Sequence, residues 1–190
     1  MPAFVNDGVI IPSLQLRGVS HSDALDYSTM GCVEVLVPGK WGYRVNGKSK
    51  LNVLKVLELA VYDGRDPLSG LQIQPGQGDL AGMEDFEKML AAWREQLEVY
   101  TRLHVTADNI IDQALEEMVP NAFCSLLVQD CLKRGRHLNQ GGGVYDSTSG
   151  CLVGIPNVGN ALAALKTLVF DQHKVPAPRL LAALQENFQG

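Results

Sequence analysis

Hydrophobic positions along this chain recur mostly at helical spacing. Leu51, Leu54, Val56, Leu57 and Leu59 mark a helix within residues 49–62, with Gly64 as its expected C-cap. Phe86, Met89, Leu90, Trp93, Leu97, Tyr100, Leu103, Ile110, Ile111 and Leu115 carry the pattern through residues 83–118 without glycine or proline. That spacing predicts one long helix, or two helices broken near Thr106, Ala107 and Asp108. Pro120 opens a further helix to Arg134, closed by Gly135, with Cys124 and Cys131 on one apolar face. Asn157 is expected to cap a helix through Ala161, Leu162, Leu165 and Leu168, and a last helix covers residues 178–188.

Strand signals are fewer. Val9, Ile10, Ile11 and Pro12 follow an Asn-Asp-Gly turn signal, and the proline makes them a short strand or an extended segment. Ser20 or Ser22 caps a short helix over residues 23–27, with Asp23 near its positive end. Residues 33–37 are β-branched and apolar apart from Glu34, which predicts a strand. Gly39, Gly42 and Gly47 make a loop, and residues 64–82 read as a longer one. Gly141, Gly142 and Gly143 open a turn before a possible short strand at Val144 and Tyr145. The whole is mostly helical with a few short strands, and it contains no internal repeat.

Composition narrows the function. The chain has 190 residues, 46% hydrophobic and 19% charged, with a net charge of -5. These values suit one globular domain or a piece of a larger one, and the acidic balance gives no footprint for nucleic acid. No apolar run reaches membrane-spanning length, and the N-terminus shows no basic region followed by an apolar one. A cytoplasmic location is therefore expected. The four cysteines, Cys32, Cys124, Cys131 and Cys151, are far apart, with no Cys-x-x-Cys and no histidine at ligand spacing, so no metal site is expected. The glycine-rich stretches lack the endings that would make them phosphate loops.

The tightest group of reactive side chains is Cys32 and Glu34, within the stretch Met30 to Tyr43. On an extended backbone, residues two apart face the same side, about 6.5–7 Å apart. That spacing suits a small molecule held between a sulfur centre and a carboxylate, one acting on carbon and the other moving a proton. The alternative from composition is a buried structural cysteine beside a glutamate paired with Lys40 or Arg44. Trp41 and Tyr43 either line a pocket or pack in a core. A cysteine–histidine hydrolase would need one of His21, His104, His137 or His173 beside Cys32, and no local signature marks any of them. Asp130 and Arg134 form an ordinary i,i+4 pair.

Gly31-Cys32-Val33-Glu34 resembles the active-site segment of the glycyl radical enzymes, the pyruvate formate-lyase-like family. The likeness extends to Val5 through Pro12, to Arg17 through Ser20, and to Asp26-Tyr27. It extends also to Asp130 through Gly135, to Gly141 through Tyr145, and to Asn160 through Phe170. The resemblance implies an α/β fold class, a predominantly helical piece of a ten-stranded α/β barrel. Residues 1–190 would be part of one such domain, with a cysteine loop over 30–47 and a helical scaffold over 49–189.

The chemistry the resemblance implies is radical. A glycyl radical takes hydrogen from the cysteine, and the thiyl radical takes hydrogen from substrate carbon. The substrate radical then loses a leaving group. Cys32 would be the thiyl site and Glu34 the general base. Trp41, Tyr43, Arg44 and Asn46 would shape the substrate pocket, although diol-processing members carry an acid near the position of Asn46. Gly31 and Val33 flank a single cysteine, which favours the dehydratase-like branch over a formate C-acetyltransferase-like 2-oxo acid lyase.

No bound cofactor is implied. The glycyl radical would be installed by a radical S-adenosylmethionine activase, and the family's glycyl motif does not occur in these 190 residues. The expected partners are a small-molecule substrate, the activase, and either the remaining portions of the barrel or further copies of the chain. The rival expectation is a truncated or split product, inactive alone and acting at most as an interaction module.

Overall fold

The computed structural model describes residues 5–31, 34–42 and 48–189. Among the described residues the elements follow in order as α1 (Asp7–Leu16), α2 (His21–Leu25), β1 (Ser28–Met30), β2 (Glu34–Leu36), β3 (Lys50–Asn52), α3 (Val53–Val61), α4 (Phe86–Met118), α5 (Ala122–Leu126), α6 (Cys131–Arg134), β4 (Cys151–Val153), α7 (Ile155–Ala164) and α8 (Ala177–Gln185). Two 3₁₀ turns, at Leu80–Gly82 and Leu138–Gln140, and a π-helical stretch at Leu165–Asp171 complete the order. The chain divides into two compact units.

The first unit comprises Met1–Ser49 and Ala107–Cys151. Its core is Leu14, Val19, Ala24, Val37 and Trp41, with Ile10, Ile11, Tyr27, Met30 and Tyr145 packed against it. Here Val9 to Pro12 belong to a helix, α1, rather than to the expected strand. Pro12 removes one helical hydrogen bond. Ile10, Ile11 and Leu14 still face the core at helical spacing, and burying them outweighs the missing bond. Ser20 caps α2, its hydroxyl accepting from the Asp23 N–H at 3.2 Å. That agrees with one of the two serines expected, although α2 stops at Leu25. β1 and β2 form an antiparallel hairpin with Ser28 opposite Leu36, Thr29 opposite Val35 and Met30 opposite Glu34.

The helix expected from Pro120 to Arg134 is broken into α5 and α6. Asn121 caps α5 by accepting from the Cys124 N–H at 3.2 Å. The Gln129 N–H then donates to the Gly39 carbonyl at 2.7 Å, and Asp130 adopts φ +75°. This tertiary bond draws the backbone out of the helix. Cys124 and Cys131 consequently lie on separate helices, the first half-buried and the second buried. Gly135 closes α6 in the left-handed region, as expected, and Arg134 pairs with Asp130 at 3.0 Å. Met118, Phe123, Leu127 and Leu132 are exposed along this part of the unit.

The second unit comprises Lys50–Thr106 and Leu152–Gly190. Val53, Leu57, Ala60, Val61, Leu80, Met89, Val158, Leu165 and Val169 form its core. α3 starts later than its apolar spacing suggests, because Lys50–Asn52 form β3, paired with β4. The Asn52 side chain accepts from the Leu54 and Lys55 N–H groups at 3.1 and 3.2 Å and so fixes the start. α4 is one uninterrupted helix, settling the alternative left open by its pattern. α7 is capped by Gly154 at φ +88° with Pro156 in its first turn, so Asn157 lies inside the helix rather than at its cap. A groove of about 520 Å³, lined by Leu54, Val61, Ala164, Leu168, Leu180 and Phe188 among others, runs over this unit.

The long loop after α3 is ordered by polar fasteners. Asp66 accepts from Lys55 Nζ at 2.5 Å and from the Ser69 hydroxyl at 2.6 Å. Gln96 Nε2 donates to the Pro75 carbonyl at 3.1 Å. Asp63, at φ +56°, takes the left-handed position after α3, and Gly64, the expected cap, follows it one residue later at φ +74°. The Gly64 N–H donates to the Leu59 carbonyl at 2.6 Å, the longer bond of a Schellman turn. A Cβ on Gly64 would lie 1.5 Å from the Gln74 carbonyl oxygen.

Two glycines of this loop therefore have different reasons to be glycine. Gly70→Ala is expected to cost about 1–2 kcal/mol, the left-handed penalty of an L residue, since nothing lies within 4 Å of its added methyl. Gly64→Ala adds a backbone collision, and thermal unfolding of the chain should show about twice that fall in Tm or more. Equal falls for the two variants would contradict the close approach of Gln74.

Candidate active site

The hairpin joins β1 to β2 through residues 31–33, and Cys32 is the middle one. Cys32 and the expected pocket residues Tyr43, Arg44 and Asn46 lie outside the described residues. β2 begins at Glu34, within the strand expected from Val33 to Val37. Connectivity alone keeps Cys32 two residues from each member of the Met30–Glu34 pair.

Glu34 is half-buried, and its carboxylate folds back over Gly31. Gly31 adopts φ +60°, and an ideal Cβ there would lie 2.7 Å from Glu34 Oε2. The glycine thus has two duties. It turns the chain in the left-handed region, and it leaves room for a carboxylate against bare backbone.

The ends of the hairpin are fastened by a second carboxylate, which sequence reasoning had placed only as a helix-end charge. Asp23 on α2 accepts from Lys40 Nζ at 2.5 Å through Oδ1 and from the Tyr145 hydroxyl at 2.6 Å through Oδ2. The Tyr145 hydroxyl accepts in turn from the Ser20 N–H at 3.1 Å. The backbone joins in, since the Tyr145 N–H donates to the Lys40 carbonyl at 3.0 Å within a parallel bridge between Trp41 and Tyr145. The Lys40 ammonium, then the Tyr145 hydroxyl, hold the Asp23 carboxyl below its ordinary value, and Asp23 holds Lys40 above its own. Lys40 is therefore partnered by Asp23, where sequence reasoning had considered it for Glu34. A carboxylate with two lone-pair edges accommodates a cation and a phenol together, but nothing in the spacing of residues 23, 40 and 145 announces it.

Trp41 is 7% exposed and packs on Tyr145, with ring centroids 5.9 Å apart. It also borders a cavity of about 260 Å³ with Ile10, Ser13, Arg17 and Ser147. Cys131 is buried, and desolvation pushes its thiol up. That is the state of an inert packing cysteine. His137 Nε2 lies 3.2 Å from the Glu116 carbonyl. Among the described residues no three His, Cys, Asp or Glu side chains converge as a metal-ligand set, and no helix is long and apolar enough to cross a membrane.

The Asp23 interaction has a definite pH window. Its folded pKa is lowered, so its contribution is present above the ordinary 3.8 and is lost as pH falls through the lower folded value. Lys40 is raised, so its contribution is present below 10.5 and is lost as pH rises through the higher folded value. The Tm deficit of Asp23→Asn against the parent chain should be constant between about pH 5 and pH 9 and should shrink below about pH 4. A deficit that grows in acid would contradict the assigned pairing.

The matches to known proteins cover all or nearly all of the chain. The family model described as pyruvate formate lyase-like matches residues 1–190. The chain is 42% identical to the "Probable dehydratase YbiW" of Escherichia coli strain K12, over all of this chain and 24% of that protein. The glycerol-bound B12-independent glycerol dehydratase from Clostridium butyricum superposes with a TM-score of 0.89 at 35% identity, covering 100% of this chain and 24% of that one. A glycyl radical enzyme from Archaeoglobus fulgidus superposes with a TM-score of 0.78 at 29% identity, covering 97% of this chain and 23% of that one. The chain spans about a quarter of the length of the curated relatives it matches. On these matches the chain belongs to the pyruvate formate lyase-like family of glycyl radical enzymes.

Proposed function

We propose that this chain carries the cysteine segment of a glycyl radical dehydratase or related lyase acting on a small polar metabolite. The observation that supports it is the hairpin. Glu34 stands opposite Met30, with its carboxylate turned back over Gly31, the residue that precedes Cys32 in the chain. In this reading a hydrogen-atom carrier and a proton carrier stand two residues apart in the chain.

In this reading the Cys32 thiyl takes a hydrogen atom from a substrate carbon bearing a hydroxyl, forming S–H and a carbon radical. Glu34 removes the proton of that hydroxyl, and the bond from the neighbouring carbon to its leaving group breaks. With hydroxide as leaving group, the proton held by Glu34 completes a water molecule. The resulting carbonyl-stabilised radical regains a hydrogen atom from Cys32, restoring the thiyl. Trp41, Tyr43, Arg44 and Asn46 would shape the pocket wall. The initiating glycyl radical, set by a radical S-adenosylmethionine activase, would reside on the remaining family length, which supplies the rest of the barrel. These 190 residues alone would be inactive. The oxygen sensitivity of such radicals implies an anaerobic setting, and a cytoplasmic location belongs to the same reading.

Two measurements test this. Activase treatment of the 190-residue chain alone should give no glycyl-radical EPR doublet, and a doublet would overturn the placement of the radical elsewhere. When the chain is reconstituted with the remaining family length and activated, Cys32→Ser should keep the doublet and abolish turnover. Glu34→Gln should lower kcat by about 10²–10⁴-fold, the usual contribution of a positioned base. Turnover by Cys32→Ser would remove the thiyl assignment.

A further inference from the structure

We infer that Asp23, Lys40 and Tyr145 form a clasp that positions the cysteine hairpin, which makes all three positioning residues for the chemistry assigned to Cys32 and Glu34. The inference rests on that assignment for its catalytic meaning, and on geometry for its existence. Asp23 precedes β1 and Lys40 follows β2, so the contact at 2.5 Å closes a ring of chain that contains the entire hairpin, Cys32 included. Tyr145 comes from a segment far along the sequence and braces the ring twice. Its hydroxyl takes the second Asp23 oxygen at 2.6 Å, and its N–H takes the Lys40 carbonyl at 3.0 Å.

Three features separate this arrangement from an ordinary surface pair. Both Asp23 oxygens are engaged by different segments, so neither contact can shift without disturbing the other. The Asp23 side chain is only 15% exposed, which reduces competition from water. The aromatic ring of Tyr145 packs on Trp41, five residues beyond the strand residue Leu36, so the clasp is continuous with the buried core. A ring fastened at its base has fewer positions for its tip. A proton base and a hydrogen-atom carrier need such placement, because misplacement of about 1 Å can cost roughly 10²-fold in rate.

The experiment reads Cys32 directly. In the 190-residue chain, the alkylation rates of Cys32, Cys124, Cys131 and Cys151 by iodoacetamide are measured separately by peptide mass spectrometry. Tyr145→Phe, which keeps the ring on Trp41, and Lys40→Met should each raise the Cys32 rate by about threefold or more while the other three rates stay unchanged. Lys40→Arg should return the Cys32 rate to the parent value. A uniform rise at all four cysteines, buried Cys131 included, would show general loosening and overturn the clasp, as would an unchanged Cys32 rate. The readout needs no radical, so it separates from the test of the proposed function. An active Cys32→Ser would sink the thiyl reading and leave the clasp standing, whereas unchanged alkylation would sink the clasp and leave the thiyl reading standing.

Discussion

A hairpin of two three-residue strands is too short to hold itself together in water. The β1–β2 hairpin has three residue pairs, and everything proposed for Cys32 and Glu34 depends on its being fixed by something else. Its neighbours supply that. α1 and α2 cover it with Leu14 and Ala24, the Val37–Trp41 turn anchors its exit in the same core, and Asp23 ties entry to exit. Hydrophobic cover resists separation but is not directional. The carboxylate adds direction, because a cation and a phenol must meet its two oxygens at once.

The same economy explains why an acid sits so near a core. Removing charges from water is costly, and a partly buried pair gains only when its remaining lone pairs find donors. Tyr145 and Ser20 complete this set at Asp23, through the phenol and then the Ser20 N–H. Gly31 solves a related problem at the other end of the hairpin. It lets Glu34 lie against backbone without a side chain in the way, leaving the carboxylate half-buried and close to the turn.

How much of this could be read from sequence depends on the range of the interaction that decides each feature. Local periodicity located α3, α4, α7 and α8, and local chemistry located the Ser20 cap and the Gly135 stop. The errors have tertiary causes. Pro12 argued for an extended segment until burial of Leu14 and its neighbours favoured α1. Residues 127–130 kept helical spacing, yet the Gln129 bond to Gly39 broke the helix there. Cys32 and Glu34 stood out as a candidate pair because they are two residues apart, and the family was legible because the flanking motifs occur in order. Tyr145 was not, since no spacing rule links a residue after a glycine run to an acid on a helix 122 positions earlier.

The two carboxylates of this region stand in different environments. Asp23 is pinned by a cation and a phenol that keep it ionised across the neutral range, so it is suited to holding and unsuited to carrying protons. Glu34 stands on the hairpin itself, half-buried and folded over a glycine. A base that must gain and lose a proton in each turnover cannot be locked in a strong ion pair without losing its basicity. Assigning Lys40 to Asp23 rather than to Glu34 therefore bears on mechanism as well as on packing. It places the Lys40 ammonium at the carboxylate that holds geometry rather than at the one proposed to move the proton.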